Sequence, residues 1–222
     1  MMLYYYATGL VLVLAGLRAR QRSAARPPPR RRFLCVYCGS RTGDDPVYAE
    51  QARRVGELLA KRGVGLVYGG GCKGLMGEVA KAVDKNHGTV ISVIPKPLLK
   101  FCNPMIQPEN AIVTNDMHSR KRCMVQLSDA FLALPGGIGT LEELLETSTW
   151  VQLGVHNKPV GALNIKSFFQ PLREMYAHQI STGFLSEPDG MVHFDDDVER
   201  LLDHLLNPKV LKRGLTDDWD CL

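Results

Sequence analysis

An apolar run followed by three closely spaced glycines is the feature that most restricts the fold of this chain. Residues 130–134 are apolar and have the length of a buried parallel strand. The glycines are Gly136, Gly137 and Gly139, and after them the apolar residues of 141–153 recur at helical spacing. A strand that passes through glycines into a helix N-terminus gathers backbone N–H groups at the positive end of the helix dipole. This arrangement is typical of a site that binds phosphate.

Two roles are open for Glu143, which lies near the start of the predicted helix. Thr140 and Glu143 have the spacing of a capping box, in which each side chain satisfies a backbone N–H group of the other residue. A carboxylate beside a phosphate-binding turn is also suited to catalysis. The spacing does not decide between a helix cap and a catalytic carboxylate.

Strand and helix patterns alternate with short connections from residue 33 onwards. The predicted strands are 33–38, 64–68, 89–94, 111–114, 130–134 and 159–164. The predicted helices are 46–61, 75–86, 117–127, 141–153, 168–180 and 196–205. Such alternation predicts an α/β fold with a doubly wound parallel sheet and helices on both faces. Ligands of these sheets bind beyond the carboxyl ends of the strands, where the glycine turns lie.

The charge of the chain is unevenly distributed. The formal net charge is +4, but residues 1–32 contain seven arginines and no acidic residue. The remaining chain has 20 basic and 23 acidic residues, a net charge of −3. A mildly acidic body argues against a general nucleic-acid surface, so we expect no nucleic-acid partner.

The first 32 residues differ in composition from the rest and are expected to lie outside the fold. Residues 1–17 are uncharged and mostly apolar, and an Arg- and Pro-rich segment follows them. A helix of that length, at about 1.5 Å per residue, is slightly short of the ~30 Å hydrocarbon core. A signal anchor, an organelle-targeting leader and an incorrectly assigned start codon all remain open. We expect a cytoplasmic catalytic domain over 33–206 and a polar tail over 207–222. Membrane attachment or organelle targeting is the alternative, with membrane contact only through residues 1–17.

The spacing of Cys35 and Cys38 resembles a redox or zinc motif. No second cysteine pair or nearby histidine completes a zinc site, and both cysteines lie inside the predicted buried strand 33–38. Unpaired cysteine in such a strand behaves as a small apolar residue. We therefore assign these residues a structural role and expect no metal.

A second glycine cluster, residues 69–74, matches the G-x-G-x-x-G pattern between a strand and a helix. A dinucleotide site would also need an acidic residue about 20 positions later to hold a ribose hydroxyl. Residues 88–99 contain neither Asp nor Glu. This pattern argues against an NAD(P)-dependent dehydrogenase and favours a mononucleotide held by two glycine turns.

Several motifs between residues 33 and 205 resemble the LOG family, the cytokinin riboside 5′-monophosphate phosphoribohydrolases, which are often labelled lysine decarboxylases. The motifs are Cys38-Gly39-Ser40, Tyr68-Gly69-Gly70-Gly71, Gly74-Leu75-Met76-Gly77, Val93-Ile94-Pro95, Met117-His118-x-Arg120-Lys121, Ser128-Asp129-Ala130-Phe131, Trp150-x-Gln152-Leu153-Gly154 and the signature PGGxGTxxE at 135–143. The resemblance implies a Rossmann-like fold, at least a homodimer, and no cofactor. It also implies hydrolysis of the N-glycosidic bond of a nucleoside 5′-monophosphate to a free base and ribose 5-phosphate.

The resemblance also assigns roles to individual residues. Arg120 and Glu143 are the implied catalytic residues. The implied phosphate- and substrate-binding residues are Ser40, Gly70, Gly71, Lys121, Gly136, Gly137, Gly139, Thr140, Glu142 and Thr149. Cys102 stands where relatives commonly have a glutamate that contacts substrate, and Asn103 and Glu109 are candidate replacements.

Three other functions are weighed against this one. A non-catalytic nucleotide-binding or carrier protein of the same superfamily is the main alternative, although Arg120 and Glu143 argue against it. A nucleosidase acting on AMP is a second alternative that the sequence does not separate from a cytokinin-specific enzyme. A decarboxylase would require a lysine that binds pyridoxal phosphate, and no lysine stands out for that role.

Overall fold

The computed structural model describes residues 30–101, 111–185 and 191–207. The strands in these ranges are β1 (Phe33–Tyr37), β2 (Gly65–Tyr68), β3 (Val90–Pro95), β4 (Ala111–Thr114), β5 (Ala130–Ala133), β6 (Val160–Leu163) and β7 (His193–Asp195). The α-helices are α1 (Pro46–Lys61), α2 (Gly74–Lys85), α3 (Met117–Leu127), α4 (Ile138–Gln152), α5 (Gln170–Ser181) and α6 (Val198–Leu206). Short 3₁₀ helices span Lys96–Phe101 and Ile165–Ser167. The apolar leader, Cys102, Asn103, Glu109 and all of the polar tail except Asn207 lie outside the described residues.

The seven strands form one sheet with the order β4-β3-β2-β1-β5-β6-β7, and every neighbouring pair is parallel. From β1 the chain moves outward through β2, β3 and β4, then returns to the other side of β1 and continues through β5, β6 and β7. This is the doubly wound order that the alternation of strands and helices predicted. The prediction of an α/β, Rossmann-like fold is confirmed.

Two apolar layers cover the faces of the sheet. On one face, α1, α2 and α6 pack against β1 and its neighbours, with Leu59, Val79 and Leu201 in one continuous core. On the other face, Met124 of α3 and Leu144 of α4 pack around Phe131 of β5. Alternate residues of each strand point to the two faces, which is why the central strands are apolar along their whole length.

Capping residues explain why some helix boundaries were predictable. Asp45 accepts a hydrogen bond from the Val47 N–H at 2.9 Å, and Pro46 occupies the first helical position of α1. Asp116 caps α3 in the same way through the Ser119 N–H at 2.8 Å. Both helices have the boundaries that the sequence predicted.

The sequence prediction missed β7. This edge strand has three residues, and it pairs with β6 through His193, Phe194 and Asp195. Asp195 also accepts two hydrogen bonds from the Arg200 guanidinium, at 2.6 and 2.5 Å, which tie β7 to α6. Three residues are too few for an alternation pattern to indicate a strand, so only the pairing with β6 identifies it.

The interpretation of Cys35 and Cys38 as structural residues is confirmed. Both are unpaired and buried. Burial raises the pKa of each thiol well above its usual range, which disfavours the reactive thiolate. Within the described ranges no group of three His, Cys, Asp or Glu side chains could hold a metal ion. In the same ranges no helix has both the length and the apolar character needed to cross a bilayer.

Candidate active site

The candidate site lies at the carboxyl ends of β1 and β5, where the direction of the sheet order reverses. Connections leave these two neighbouring strands toward opposite sides, which opens a crevice between them. The Gly39 N–H, after β1, donates to the Pro135 carbonyl, after β5, at 3.0 Å. A β-carbon on Gly39 would lie 3.3 Å from the Gly136 α-carbon. The two turns at the crevice are therefore packed directly against each other.

The capping-box interpretation of Thr140 and Glu143 is wrong. Helix α4 begins at Ile138, three residues before the predicted start, and its N-cap is Gly137. No side chain caps this helix. Thr140 therefore lies inside the first turn, where it is buried against Gly136, and a β-carbon on Gly136 would be 2.1 Å from the Thr140 hydroxyl oxygen. Glu143 lies a turn further on and is free for another role.

Gly137 and Gly139 line an open space at the N-terminus of α4. A β-carbon at either position would have no heavy atom within 4 Å, and neither residue has a positive φ. Packing and backbone conformation therefore do not require glycine here. Glycine in a helix is less favourable than alanine by up to about 1 kcal/mol. Close approach of a ligand to the first-turn N–H groups is a physical reason for glycine at both positions.

We expect Gly139→Ala to stabilise the protein and to weaken nucleotide binding. The new methyl group meets no protein atom, so the helix gains part of the propensity difference of about 1 kcal/mol. At the predicted phosphate site the same methyl group is expected to lower AMP affinity by about tenfold or more, about 1.4 kcal/mol. Thermal unfolding and calorimetric titration with AMP measure the two effects. Unchanged affinity would remove Gly139 from the phosphate site.

Arg120 of α3 and Glu143 of α4 form a buried ion pair at the edge of this crevice. The Arg120 Nη1 lies 2.6 Å from the Glu143 Oε1, and the two side chains are only 9% and 12% exposed. The Arg120 Nε also donates to the Val93 carbonyl of β3 at 3.1 Å. Burial raises the pKa of Glu143 above the usual range for glutamate, although the nearby Arg120 guanidinium acts in the opposite direction. The structure thus brings together the two residues that the family resemblance assigned to catalysis.

Two residues beneath Glu143 were not predicted from the sequence. The Thr147 hydroxyl donates to the Glu143 carbonyl at 2.8 Å. The Tyr37 hydroxyl, at the end of β1, is hydrogen-bonded to the Thr147 hydroxyl, with 3.0 Å between the two oxygens. This chain of hydrogen bonds connects the central strand to the helical turn that carries Glu143. The helical spacing of Glu143 and Thr147 was the available signal, but it did not indicate that Tyr37 is the partner.

Lys121 and Glu142, both predicted in the substrate pocket, contact each other. The Lys121 ammonium bonds the Glu142 carboxylate and lies 2.9 Å from the Glu146 carboxylate. Burial lowers the pKa of Lys121, but hydrogen bonds and charges from Glu142 and Glu146 outweigh it, so the pKa lies above its usual value. This ion-pair cluster joins α3 to α4 beside the Arg120–Glu143 pair.

The remaining predicted residues occupy different surroundings. Ser40 is exposed, and its backbone packs tightly on Gly74, where a β-carbon would lie 2.2 Å from the Ser40 carbonyl carbon. Gly70 has a φ of +80° and is buried against Ile94. Thr149 is exposed on α4 and donates to the Leu145 carbonyl at 2.7 Å. The roles of Ser40, Gly70, Gly71 and Thr149 in substrate binding remain predictions.

The fold and the site define a class of protein: a doubly wound α/β protein with a buried arginine–glutamate pair beside a glycine turn at the sheet reversal. Two solved structures share the fold with a TM-score of 0.60 each. One is the molybdenum cofactor binding protein from Rippkaea orientalis, 23% identical, covering 79% of this chain and 95% of that one. The other is the Moco carrier protein from Chlamydomonas reinhardtii, 24% identical, covering 80% and 98%. At these identities the similarity concerns the fold.

The sequence comparisons identify the family. Residues 76–205 match the family model described as "possible lysine decarboxylase". The rice (Oryza sativa subsp. japonica) protein named probable cytokinin riboside 5′-monophosphate phosphoribohydrolase LOGL1 is 45% identical over 165 residues, which cover 73% of this chain and 74% of that protein. The rice protein LOG is 47% identical, with coverages of 71% and 65%, and LOG7 of Arabidopsis thaliana is 46% identical, with 69% and 70%. The chain belongs to this LOG family, as its motifs predicted.

Proposed function

We propose that this protein hydrolyses the N-glycosidic bond of nucleoside 5′-monophosphates and releases a free base and ribose 5-phosphate. The relatives named above are cytokinin riboside 5′-monophosphate phosphoribohydrolases, so cytokinin nucleotides are the proposed substrate class. The observation that carries the proposal is the buried Arg120–Glu143 pair, 2.6 Å apart, at the edge of a crevice that contains a helix N-terminus without a side-chain cap.

The chemistry of a ribosyl bond explains the need for a carboxylate. Cleavage builds positive charge at the anomeric carbon, as in glycoside hydrolysis. The Glu143 carboxylate stabilises that charge and orients the attacking water. Little water surrounds this group, so its electrostatic effect is larger than in bulk solvent.

Arg120 has two roles in this mechanism. Its guanidinium lowers the pKa of Glu143 against the effect of burial and so favours the ionised carboxylate. It also supplies positive charge for the base, which leaves with developing negative charge. The Val93 carbonyl and the Glu143 carboxylate orient two different nitrogens of the guanidinium, so the group is held before substrate arrives.

The glycine turn supplies binding energy away from the reacting bond. The N–H groups at the start of α4 bind the 5′-phosphate, and Gly137 and Gly139 leave space for it. Binding of this remote group fixes the ribose against Glu143 and reduces the entropy cost of the reaction. A nucleoside without its phosphate should therefore lose kcat as well as affinity.

A pyridoxal-dependent lysine decarboxylase fits these residues poorly. Such an enzyme forms a Schiff base through a lysine whose amine must become neutral, which favours a lowered pKa. Lys121 is the buried lysine near the proposed active site, and its pKa is raised by the carboxylates of Glu142 and Glu146 despite burial. Its charge is neutralised by these partners rather than removed.

The experiment that tests the function compares two nucleotides. The purified protein is incubated with AMP and with its N6-isopentenyl derivative, and base and ribose 5-phosphate are quantified by chromatography. Equimolar release of both products supports the proposal, and the ratio of kcat/KM between the nucleotides separates a general AMP nucleosidase from a cytokinin-specific enzyme. The corresponding nucleosides serve as controls. Tight binding of both nucleotides without hydrolysis would indicate a carrier protein and reject the proposed enzyme.

We also propose that two copies of the chain associate through α4 and α5. No residue of α5 is buried, which is unusual for a helix that covers a sheet. Met175 and Phe184, on and just beyond α5, are 53% and 87% exposed, and Ile138 at the start of α4 is 81% exposed. Exposed apolar side chains on neighbouring elements are typical of an interface.

The mass in solution checks this proposal. Light scattering at micromolar concentration should give twice the 24.6 kDa of the chain. Replacing Met175 and Phe184 together by aspartate should give a folded monomer, because burying two charges at the interface is strongly unfavourable. A wild-type protein that is monomeric at that concentration would contradict the proposed association.

A further inference from the structure

Gly69, the first residue of the second glycine turn, contacts the catalytic pair directly. It follows Tyr68, the last residue of β2. A β-carbon on Gly69 would lie 2.2 Å from the Nη2 of Arg120 and 3.4 Å from its Cζ. A distance of 2.2 Å is too short for a carbon and a nitrogen that are not bonded to each other. The guanidinium therefore occupies the space that any side chain at position 69 would need.

Three contacts together hold this guanidinium in one place. Gly69 borders its Nη2, the Val93 carbonyl accepts from its Nε at 3.1 Å, and the Glu143 carboxylate accepts from its Nη1 at 2.6 Å. Since β2 and β3 are neighbouring parallel strands, Gly69 and Val93 approach Arg120 from adjacent strands of the sheet. The Arg120 guanidinium is thus contacted by the residue that follows β2, by β3 and by Glu143 of α4.

The other two glycines of the turn have different neighbours. Gly70 has a φ of +80°, and a β-carbon there would lie 3.3 Å from Ile94. The three atoms nearest to a β-carbon on Gly71 would all belong to the Met76 side chain, with Cε at 2.7 Å. Neither position has an Arg120 atom among its nearest neighbours, so the contact with the guanidinium distinguishes Gly69 within this turn.

We propose that Gly69 is a positioning residue for Arg120, and that its lack of a side chain sets the place of the guanidinium relative to Glu143. The inference rests on the proposed function only for its catalytic consequence. The packing itself does not depend on which reaction the protein performs. It also gives the second glycine turn a role in orienting a catalytic residue, in addition to the predicted contact of Gly70 and Gly71 with phosphate.

Gly69→Ala should lower kcat by about a hundredfold and change nucleotide affinity little. The guanidinium must move by roughly 1 Å to accommodate the methyl group, and a misplacement of about 1 Å at an active site costs on the order of a hundredfold in rate. The phosphate-binding N–H groups of α4 are untouched, so KM should change less than about threefold, well below the hundredfold effect on kcat. If the substitution instead impaired phosphate binding by the glycine turn, the main effect would be on KM.

A double-mutant cycle separates this mechanism from a general effect on the turn. Lysine at position 120 can still pair with Glu143 but lacks the nitrogen that lies at Gly69. Gly69→Ala should lower the melting temperature by about 3 °C or more in the wild-type background and by less than about 1 °C beside Arg120→Lys, given roughly 2–4 °C per kcal/mol for a chain of this size. Arg120→Ala provides a second background in which the collision is absent.

Gly71→Ala is the matched control, because it places the same methyl group in the same turn against Met76. Its effect on melting temperature should be equal in the wild-type and Arg120→Lys backgrounds. An equal loss for Gly69→Ala in both backgrounds, or no loss in either, would overturn the proposed positioning role. If the wild-type protein hydrolyses no nucleotide, the function proposed above fails, while the melting-temperature cycle still decides whether Gly69 positions Arg120.

Discussion

Replacing Glu143 by glutamine is expected to reduce nucleotide hydrolysis by a hundredfold or more while leaving nucleotide binding intact. The amide has the size of the carboxylate and can still accept a hydrogen bond from Arg120, but it carries no negative charge. Loss of one electrostatic group that stabilises a transition state typically costs about 10²–10³ in rate, or about 3–4 kcal/mol. The glycine turn that is proposed to bind phosphate does not change. Release of ribose 5-phosphate, AMP affinity and melting temperature measure the three properties.

The control for this substitution is Glu57→Gln on α1, where an exposed carboxylate is lost on the opposite face of the sheet. The rate and the melting temperature of this variant should equal those of the wild-type protein within experimental error. The N-cap of α4 is Gly137, and no side chain caps this helix. Loss of a helix cap therefore does not explain reduced activity in Glu143→Gln. A Glu143→Gln protein that keeps more than about a tenth of the rate, or about 1.4 kcal/mol in barrier, would falsify the catalytic assignment.

The rate should also depend on pH in a direction set by the burial of Glu143. Burial raises the pKa of Glu143, Arg120 lowers it, Glu142 raises it, and Lys121 lowers it, with the sum above the usual range. A carboxylate that acts in its ionised form loses activity as the pH falls through this raised pKa. The acidic limb of the kcat profile should therefore lie above the pKa of an ordinary glutamate.

Removal of the arginine is expected to have the largest combined effect on rate and stability. Arg120→Ala leaves Glu143 buried without its partner, and breaking a buried ion pair by removing one member typically costs about 3–5 kcal/mol. The rate should fall by at least a hundredfold, and residual activity should require a higher pH, because the group that lowers the pKa of Glu143 is gone. Denaturant unfolding and a pH–rate profile measure both effects.

Arg122→Ala is the matched control for Arg120→Ala. Arg122 is on the same helix but exposed, so its removal should change stability by no more than about 0.5 kcal/mol. Arg120→Lys should recover part of the lost stability through a single ionic contact, yet little of the rate. An ammonium group cannot bond the Val93 carbonyl and Glu143 with the fixed geometry of a guanidinium. Full activity of Arg120→Lys would contradict an orienting role for the guanidinium.

Local interactions explain what was predictable about the fold. The start of α1 is specified by Asp45 and Pro46, and the start of α3 by Asp116. Both could be predicted because a cap depends on residues two or three positions apart. Continuous apolar runs identified the central strands, because both faces of a parallel sheet are covered. The start of α4 was misplaced because a glycine N-cap has no side chain that announces it.

The site required the tertiary structure. The motifs pointed to Arg120 and Glu143 as separate residues, but their ion pair joins positions 23 apart on two helices. The contact of Gly69 with Arg120, and of Tyr37 with Thr147, joins positions 51 and 110 apart. Sequence patterns report periodicity and caps, which depend on neighbours within a few residues. Which distant side chains share one buried space depends on strand order and helix packing, and these become known only when the whole sheet is assembled.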